Sequence, residues 1–248
     1  NTTMENTRAK TTRNSLILLL TATIWGMAFV SQSKGMDYMH PFTFNGVRSL
    51  IGAAGILVYI LISRKIAGDK AAKLDWKLNV RAGLLCGIFL TIASTLQQFG
   101  IKYTSVGKAG FITTLYIIFV PMFGVFLKKK VAPVVWAAAG MAAVGMYLLC
   151  MTESLRLGAG DIMVFLCAIA FAIQIMTVDH YAARIDGAVV SCIQFTVCGV
   201  VCCIGALIWG QPTFGQIQEG LGALLYAGVL SCGVGYTCLL YTSDAADE

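Results

Sequence analysis

The chain has 248 residues, of which 58% are hydrophobic and only 12% charged, and its formal net charge is +6. A soluble globular domain carries about 25% charged residues, so a soluble fold is excluded. The basic residues sit at the ends of apolar runs rather than in a patch suited to nucleic acid.

The apolar runs are about 20 residues long, the length a helix needs to cross ~30 Å of hydrocarbon. They are too many for a cleaved signal peptide ahead of a soluble domain. They also lack the alternating segments of a membrane β-barrel. In chain order the predicted helices cover 16–33, 42–62, 82–101, 107–127, 132–151, 161–180, 188–209 and 220–237. The fold class is therefore an all-α polytopic membrane protein.

Lysine and arginine set the expected orientation. With 1–13 as a cytoplasmic tail, one side holds Arg8, Lys10 and Arg13, then Arg64, Lys65, Lys70, Lys73, Lys77 and Arg81, then Lys128, Lys129, Lys130 and Arg184. The opposite side holds only Lys34, Lys102, Lys108 and Arg156. The N-terminus is thus predicted to be cytoplasmic, in a plasma membrane (the inner membrane of a bacterium). The basic loop 63–81 suits anionic lipid too, but orientation already explains it.

Of the nine cysteines, Cys86, Cys150, Cys167, Cys192, Cys198, Cys202, Cys203 and Cys232 fall inside apolar runs. No C-x-x-C pair exists, and only His40 and His180 are at hand to join them, so neither a disulfide framework nor a zinc site is expected. Small apolar packing residues are the simpler reading, and no cofactor is implied.

The apolar pattern is written twice. Ala22-Thr-Ile-Trp25, Pro41 and Arg48 return as Ala168-Ile-Ala-Phe171, Gly187 and Gln194 at an offset of 146. Ala82-Gly-Leu-Leu-Cys-Gly87 returns as Ala223-Leu-Leu-Tyr-Ala-Gly228 at an offset of 141. One unit of five helices (14–152) is followed by three helices of a second (160–237). Five is odd, so the second unit enters from the opposite side of the membrane. Such inverted-topology repeats build alternating access in secondary transporters. Two further helices would complete ten.

Both ends are expected to be foreign. Met4 reads as the initiator, with Asn1–Thr3 as upstream translation. Residues 238–248, Cys-Leu-Leu-Tyr-Thr-Ser-Asp-Ala-Ala-Asp-Glu, resemble a translated transposon-type sequencing adapter. The natural sequence is then expected to continue past Thr237, and the eight-helix chain alone is expected not to transport.

With these residues in view, 14–237 resembles the EamA-type transporters of the drug/metabolite transporter superfamily. The resemblance rests on Trp25-Gly26, Pro41 leading to Arg48, and Thr104-Ser105-Val-Gly-Lys-Ala-Gly110. Pro121 and the stretch from Gly140 to Gly145 complete it. The family often ends its fourth helix with a Gly-Glu-Arg-like turn, where this chain has Leu127-Lys-Lys-Lys130, so a role for that glutamate finds no support here. The resemblance implies a ten-helix carrier of small metabolites, often an exporter of amino acids or related solutes.

Arg48 is the sharpest candidate for substrate binding. An ionised side chain inside a span is costly and faces the bundle or an aqueous cavity. Seven residues past Pro41, it lies ~10 Å along the helix, where paired N–H donors suit a carboxylate or phosphate. The competing reading is a structural arginine on backbone carbonyls. Asn45 shares its face at i, i+3. Gln97 and Gln98 near the end of the third helix, with Gln174 and Gln194 in the second unit, bond either a polar solute or a neighbouring helix. Trp25 at mid-span walls a cavity or packs. Tyr116, with Thr113 and Thr114, gives the fourth helix a polar stripe, and Tyr236 lies at the end of the eighth. Gly83 and Gly87 read as close helix packing, Pro121 as a kink or hinge, and Lys108 as a snorkelling anchor.

No Asp or Glu lies mid-span, with Asp161 and Asp179 at the two ends of the sixth helix, so facilitated diffusion remains open beside proton coupling. The expected partners are a small-molecule solute and the lipid bilayer, and a homodimer stays open. A nucleotide-sugar or other phosphate-bearing solute is the alternative cargo. A non-transport membrane protein is the alternative class. An enzyme is disfavoured because no Ser-His pair, His/Asp cluster or metal motif is present.

Overall fold

A computed structural model describes residues 2–68, 74–127, 132–150 and 158–236. Expectations for Lys70, Lys73, Lys128–Lys130, Arg156 and the tail 238–248 fall outside these residues. Among the described residues there is no strand. The helices are α1 (Thr2–Gly35), α2 (Pro41–Ala67), α3 (Trp76–Tyr103), α4 (Val106–Thr114), α5 (Tyr116–Phe126), α6 (Pro133–Cys150), α7 (Ala159–Tyr181), α8 (Gly187–Gly205), α9 (Phe214–Glu219) and α10 (Leu221–Leu225). Wider π-helical turns continue α8 through Ala206–Gly210 and α10 through Tyr226–Gly235.

Among the described residues, six spans are long and apolar enough to cross a membrane: Thr12–Gly35, Pro41–Ile66, Trp76–Tyr103, Val106–Phe126, Ala159–Arg184 and Gly187–Gly210. The expected fifth and eighth spans appear as the shorter apolar helices Pro133–Gly145 and Leu221–Gly235. The protein is an all-α, multi-pass membrane protein.

Helix starts follow local chemistry. Asp75 accepts from Leu78 N and Asp186 from Ala188 N and Val189 N, satisfying donors that a helix start leaves unpaired. His40 caps α2 through Nδ1, which accepts from Phe42 N, and Pro41 follows at the first helical position.

The burial pattern inverts that of a soluble protein. Ile66, Phe126 and Leu207 are exposed, whereas Asn45, Arg48, Gln97, Gln98, Gln174 and Gln194 are buried. Lipid solvates the first group, and the second must find partners inside the bundle.

α2 and α8 cross in antiparallel fashion. Gly46 lies against Cys203, Ser49 Oγ reaches Cys198 Sγ at 3.5 Å, and Leu50 covers Gly199. Numbers rise along one helix as they fall along the other. α3 packs on both α7 and α8, while α2 packs on α8 and on the Leu221–Gly235 helix. The glycine contacts repeat. A Cβ on Gly87 would lie 2.8 Å from Val197 Cβ and 3.2 Å from Gln194 Cα. A Cβ on Gly228 would lie 2.8 Å from Ile51 Cβ and 3.0 Å from the Arg48 carbonyl oxygen. The sequence offsets carry Arg48 to Gln194, Ile51 to Val197 and Gly87 to Gly228. The two units therefore pack on one another reciprocally, with their second helices running in opposite directions.

The span containing α4 and α5 breaks at Leu115, six residues before the Pro121 that was expected to kink it. Thr114 Oγ1 bonds back to the Gly110 carbonyl at 2.6 Å, and Leu115 N closes a tight turn on Ile112 O at 3.2 Å. Back-bonding of this kind bends helices. Pro121 sits inside α5, where it removes the bond that Ile117 O would otherwise receive.

Candidate solute site between the two units

Arg48 lies two turns into α2 and is 6% exposed. Its Nε donates to Asn45 Oδ1 at 2.8 Å, and its guanidinium stands 5.7 Å from the Phe44 ring centroid. Among the described residues it pairs with no carboxylate. A charge at this depth costs about 2.5–3.5 kcal/mol on insertion scales, so the groups around it are placed to hold it. Asn45 does most of this. Its Nδ2 donates to Ser94 Oγ on α3 at 3.1 Å and leans on Cys202 Sγ on α8 at 3.8 Å. Ser94 Oγ in turn meets Cys198 Sγ at 3.3 Å. The Asn45 amide thus joins α2, α3 and α8 while fixing the arginine from one side.

The other expected residues divide into groups. Gln97 Nε2 donates to Thr113 Oγ1 at 3.3 Å, tying α3 to α4. Gln98 Nε2 donates to the Gln32 carbonyl at 3.2 Å, tying α3 to α1. Gln174 Nε2 donates to Gln194 Oε1 at 2.9 Å, so these two amides hold α7 to α8. Trp25 packs on the last helix. Its Nε1 donates to Ser231 O at 3.2 Å, and its ring lies 5.6 Å from Tyr236, in room left by Gly235. Ser31 Oγ to Ala223 O and Tyr226 Oη to Ile24 O continue that seam between α1 and the last helix. Tyr116 opens α5 half-buried.

Sequence reasoning missed Ser94 and Gln32, because nothing in a pattern marks which small polar residue faces which helix. It also read Lys108 as a snorkelling anchor, whereas Lys108 Nζ lies 3.8 Å from the buried Asp161 Oδ2. Asp161 further accepts from Gly158 N at 2.9 Å and from the Thr104 hydroxyl. That carboxylate fastens the start of α7 to the α3–α4 connection. At the same end of the bundle the rings of His40, Phe42, Phe99 and Trp209 pack together at 5.2–5.6 Å. Burial, reinforced by the Lys102 charge, holds His40 below the ordinary histidine value. At the other end Arg64 meets Asp186 at 3.6 Å, and Asp186 N donates to Asn79 Oδ1. A recess of about 650 Å³ lies on the lipid side of α3, lined by Trp76, Lys77, Arg81, Leu84 and Ile88 among others, apart from Arg48.

Antiparallel repeats, an apolar outer surface and a polar seam at their contact define a multi-pass membrane bundle of two related units. The EamA-like transporter family matches residues 13–151 and again 158–244, and the chain belongs to that family, within the drug/metabolite transporter superfamily. An uncharacterized transporter of Archaeoglobus fulgidus is 30% identical over 171 residues, covering 66% of this chain and 48% of the relative. The chain thus spans about half the length of that relative. An uncharacterized transporter of Clostridium kluyveri is 25% identical over 241 residues, covering 91% of this chain and 75% of the relative. A crystal structure at 18% identity shares the fold with a TM-score of 0.67, covering 95% of this chain and 79% of the other.

Proposed function

We propose that the protein is a secondary carrier, not an enzyme, that moves small metabolites across a bacterial inner membrane. The solutes are amino acids or related polar or amphipathic molecules, drugs included, and the direction is export by alternating access. The observation that carries this reading is Arg48, buried without a carboxylate partner among the described residues, at the contact of two antiparallel units. A guanidinium held from one side by Asn45 keeps donors for an incoming carboxylate. Reciprocal packing of inverted units is the architecture on which alternating access is built. A phosphate-bearing solute, such as a nucleotide sugar, is the second reading, favoured by the same guanidinium.

In this reading Arg48 binds the solute's anionic group, and Asn45 positions it. Gln97 and Gln98, with Trp25 and Tyr116, line the first unit's side of the path. Gln174 and Gln194 brace the opposite side, and the N-terminus is cytoplasmic. The test is saturable flux of labelled amino acids in proteoliposomes carrying the full-length transporter, with and without a pH gradient. Flux down the solute's own gradient supports a facilitator. Strict dependence on the pH gradient overturns the facilitator form. Absence of any saturable flux overturns the carrier.

A further inference from the structure

We infer that Gln32 and Gln98 form the donor-accepting half of the solute site, receiving a hydrogen-bond-donating group that the solute carries beside its anionic group. The inference rests on the carrier reading above. Four buried side-chain atoms lack a hydrogen-bond partner among the described residues: Asn14 Oδ1, Gln32 Oε1, Thr43 Oγ1 and Gln98 Oε1. Two of the four lie on α1 and α3, which the bond from Gln98 Nε2 to the Gln32 backbone carbonyl joins. Gln32 is 4% exposed and Gln98 fully buried. An acceptor buried without a donor carries its whole desolvation penalty, and native interiors seldom tolerate it without a ligand or a bound water.

Turning the Gln98 amide over does not remove the problem. A reversed Gln98 would set its oxygen against the Gln32 carbonyl and leave Nε2 unpaired instead. The second unit shows what the same residue type does when it serves only to join helices: Gln174 and Gln194 bond each other at 2.9 Å. Gln32 and Gln98 leave both side-chain oxygens without a donor.

Position supplies the rest. Ser94 and Gln98 lie one turn apart on one face of α3, ~6 Å along the axis. Ser94 bonds Asn45, and Asn45 holds Arg48. Ser94 therefore links the Arg48–Asn45 pair to the face of α3 that carries Gln98. A group that meets two amide oxygens must donate, and either an ammonium or a hydroxyl does so. Arg48 takes the carboxylate, and the uncharged amides take the donor beside it.

The experiment measures binding of three matched solutes to the purified protein: L-leucine, its 2-hydroxy analogue, and 4-methylpentanoate, which carries no donor beside the carboxylate. Wild type is expected to bind one or both of the first two about tenfold or more tightly than the third. Which of the two is preferred separates ammonium from hydroxyl. Gln32→Met and Gln98→Met remove the free oxygens at nearly constant volume and are expected to erase the preference, with the unfolding temperature unchanged or raised in Gln32→Met and lowered in Gln98→Met, which also loses the bond to the Gln32 backbone carbonyl. Equal binding of all three by wild type, or a preference that survives in both variants, would overturn the inference and leave those oxygens to a buried water. If all three bind equally and Arg48→Ala abolishes binding, the carrier reading stands and this inference falls. If none binds, both fall.

Discussion

Arg48 and Gln194 occupy equivalent places in two antiparallel copies of one packing arrangement. Each lends its backbone to a close-packed glycine of the other unit's third helix, Gly228 for Arg48 and Gly87 for Gln194. Their side chains diverge: Arg48 is held by Asn45 within its own helix, while Gln194 is bonded by Gln174. The backbone is symmetric and the chemistry is not, which places the charge in one unit only.

The glycine contacts are predicted to be matched in cost. Gly87→Ala and Gly228→Ala each put a Cβ within 3.0 Å of a neighbour. Each should destabilise by about 1–3 kcal/mol. Gly55, with nothing within 4 Å, is the control. Gly55→Ala should be neutral or stabilising by up to ~1 kcal/mol. Thermal unfolding in detergent checks all three.

Asn45 should behave as a positioning residue. Asn45→Ala strands Arg48 Nε and should cost about 1–3 kcal/mol of stability. Asn45→Asp puts a carboxylate where an oxygen already lies 2.8 Å from Arg48 Nε. It should keep the fold, neutralise the arginine and weaken carboxylate binding about tenfold or more. Paired unfolding and binding curves separate the two effects.

Asp161 ties the two units together at one end of the bundle. Asp161→Asn keeps one acceptor oxygen for Gly158 N and loses the charge pairing with Lys108. It should lower stability by about 1–3 kcal/mol. Hydrogen exchange should show the start of α7 and the α3–α4 connection opening together.

His40 predicts a pH dependence confined to the start of α2. Its folded-state pKa is lowered, by burial first and by Lys102 second, from the ordinary value of 6.5. The unfolded chain therefore binds the proton more readily, and stability rises with pH across that interval. The neutral cap contributes fully above pH 6.5 and is lost as pH falls through the lower, folded value. The unfolding temperature should drop on acidification in wild type and drop less in His40→Asn.

Much of this was legible in the sequence, for identifiable reasons. Hydrophobic runs fix membrane helices because lipid leaves the backbone no other partner. The offset between Arg48 and Gln194 survives in the letters and predicts their equivalence. Asn45 was legible beside Arg48 because i, i+3 residues share a helix face. Ser94 and Gln32 were not, since interhelical contacts depend on rotation and crossing that no local pattern records. The sequence marks Pro121 as a kink or hinge and gives no sign of the break at Leu115, where Leu115 N closes a tight turn on Ile112 O. The Lys108–Asp161 contact joins residues far apart in sequence, so Lys108 alone read as an anchor.

The most direct test of the central claim is flux of a labelled carboxylate solute through the full-length transporter in proteoliposomes, comparing wild type with Arg48→Ala at equal, correctly inserted protein. The account predicts saturable flux in wild type and its loss in the variant, with the variant's unfolding still cooperative. Undiminished flux through Arg48→Ala would contradict it and remove the arginine from the solute's path.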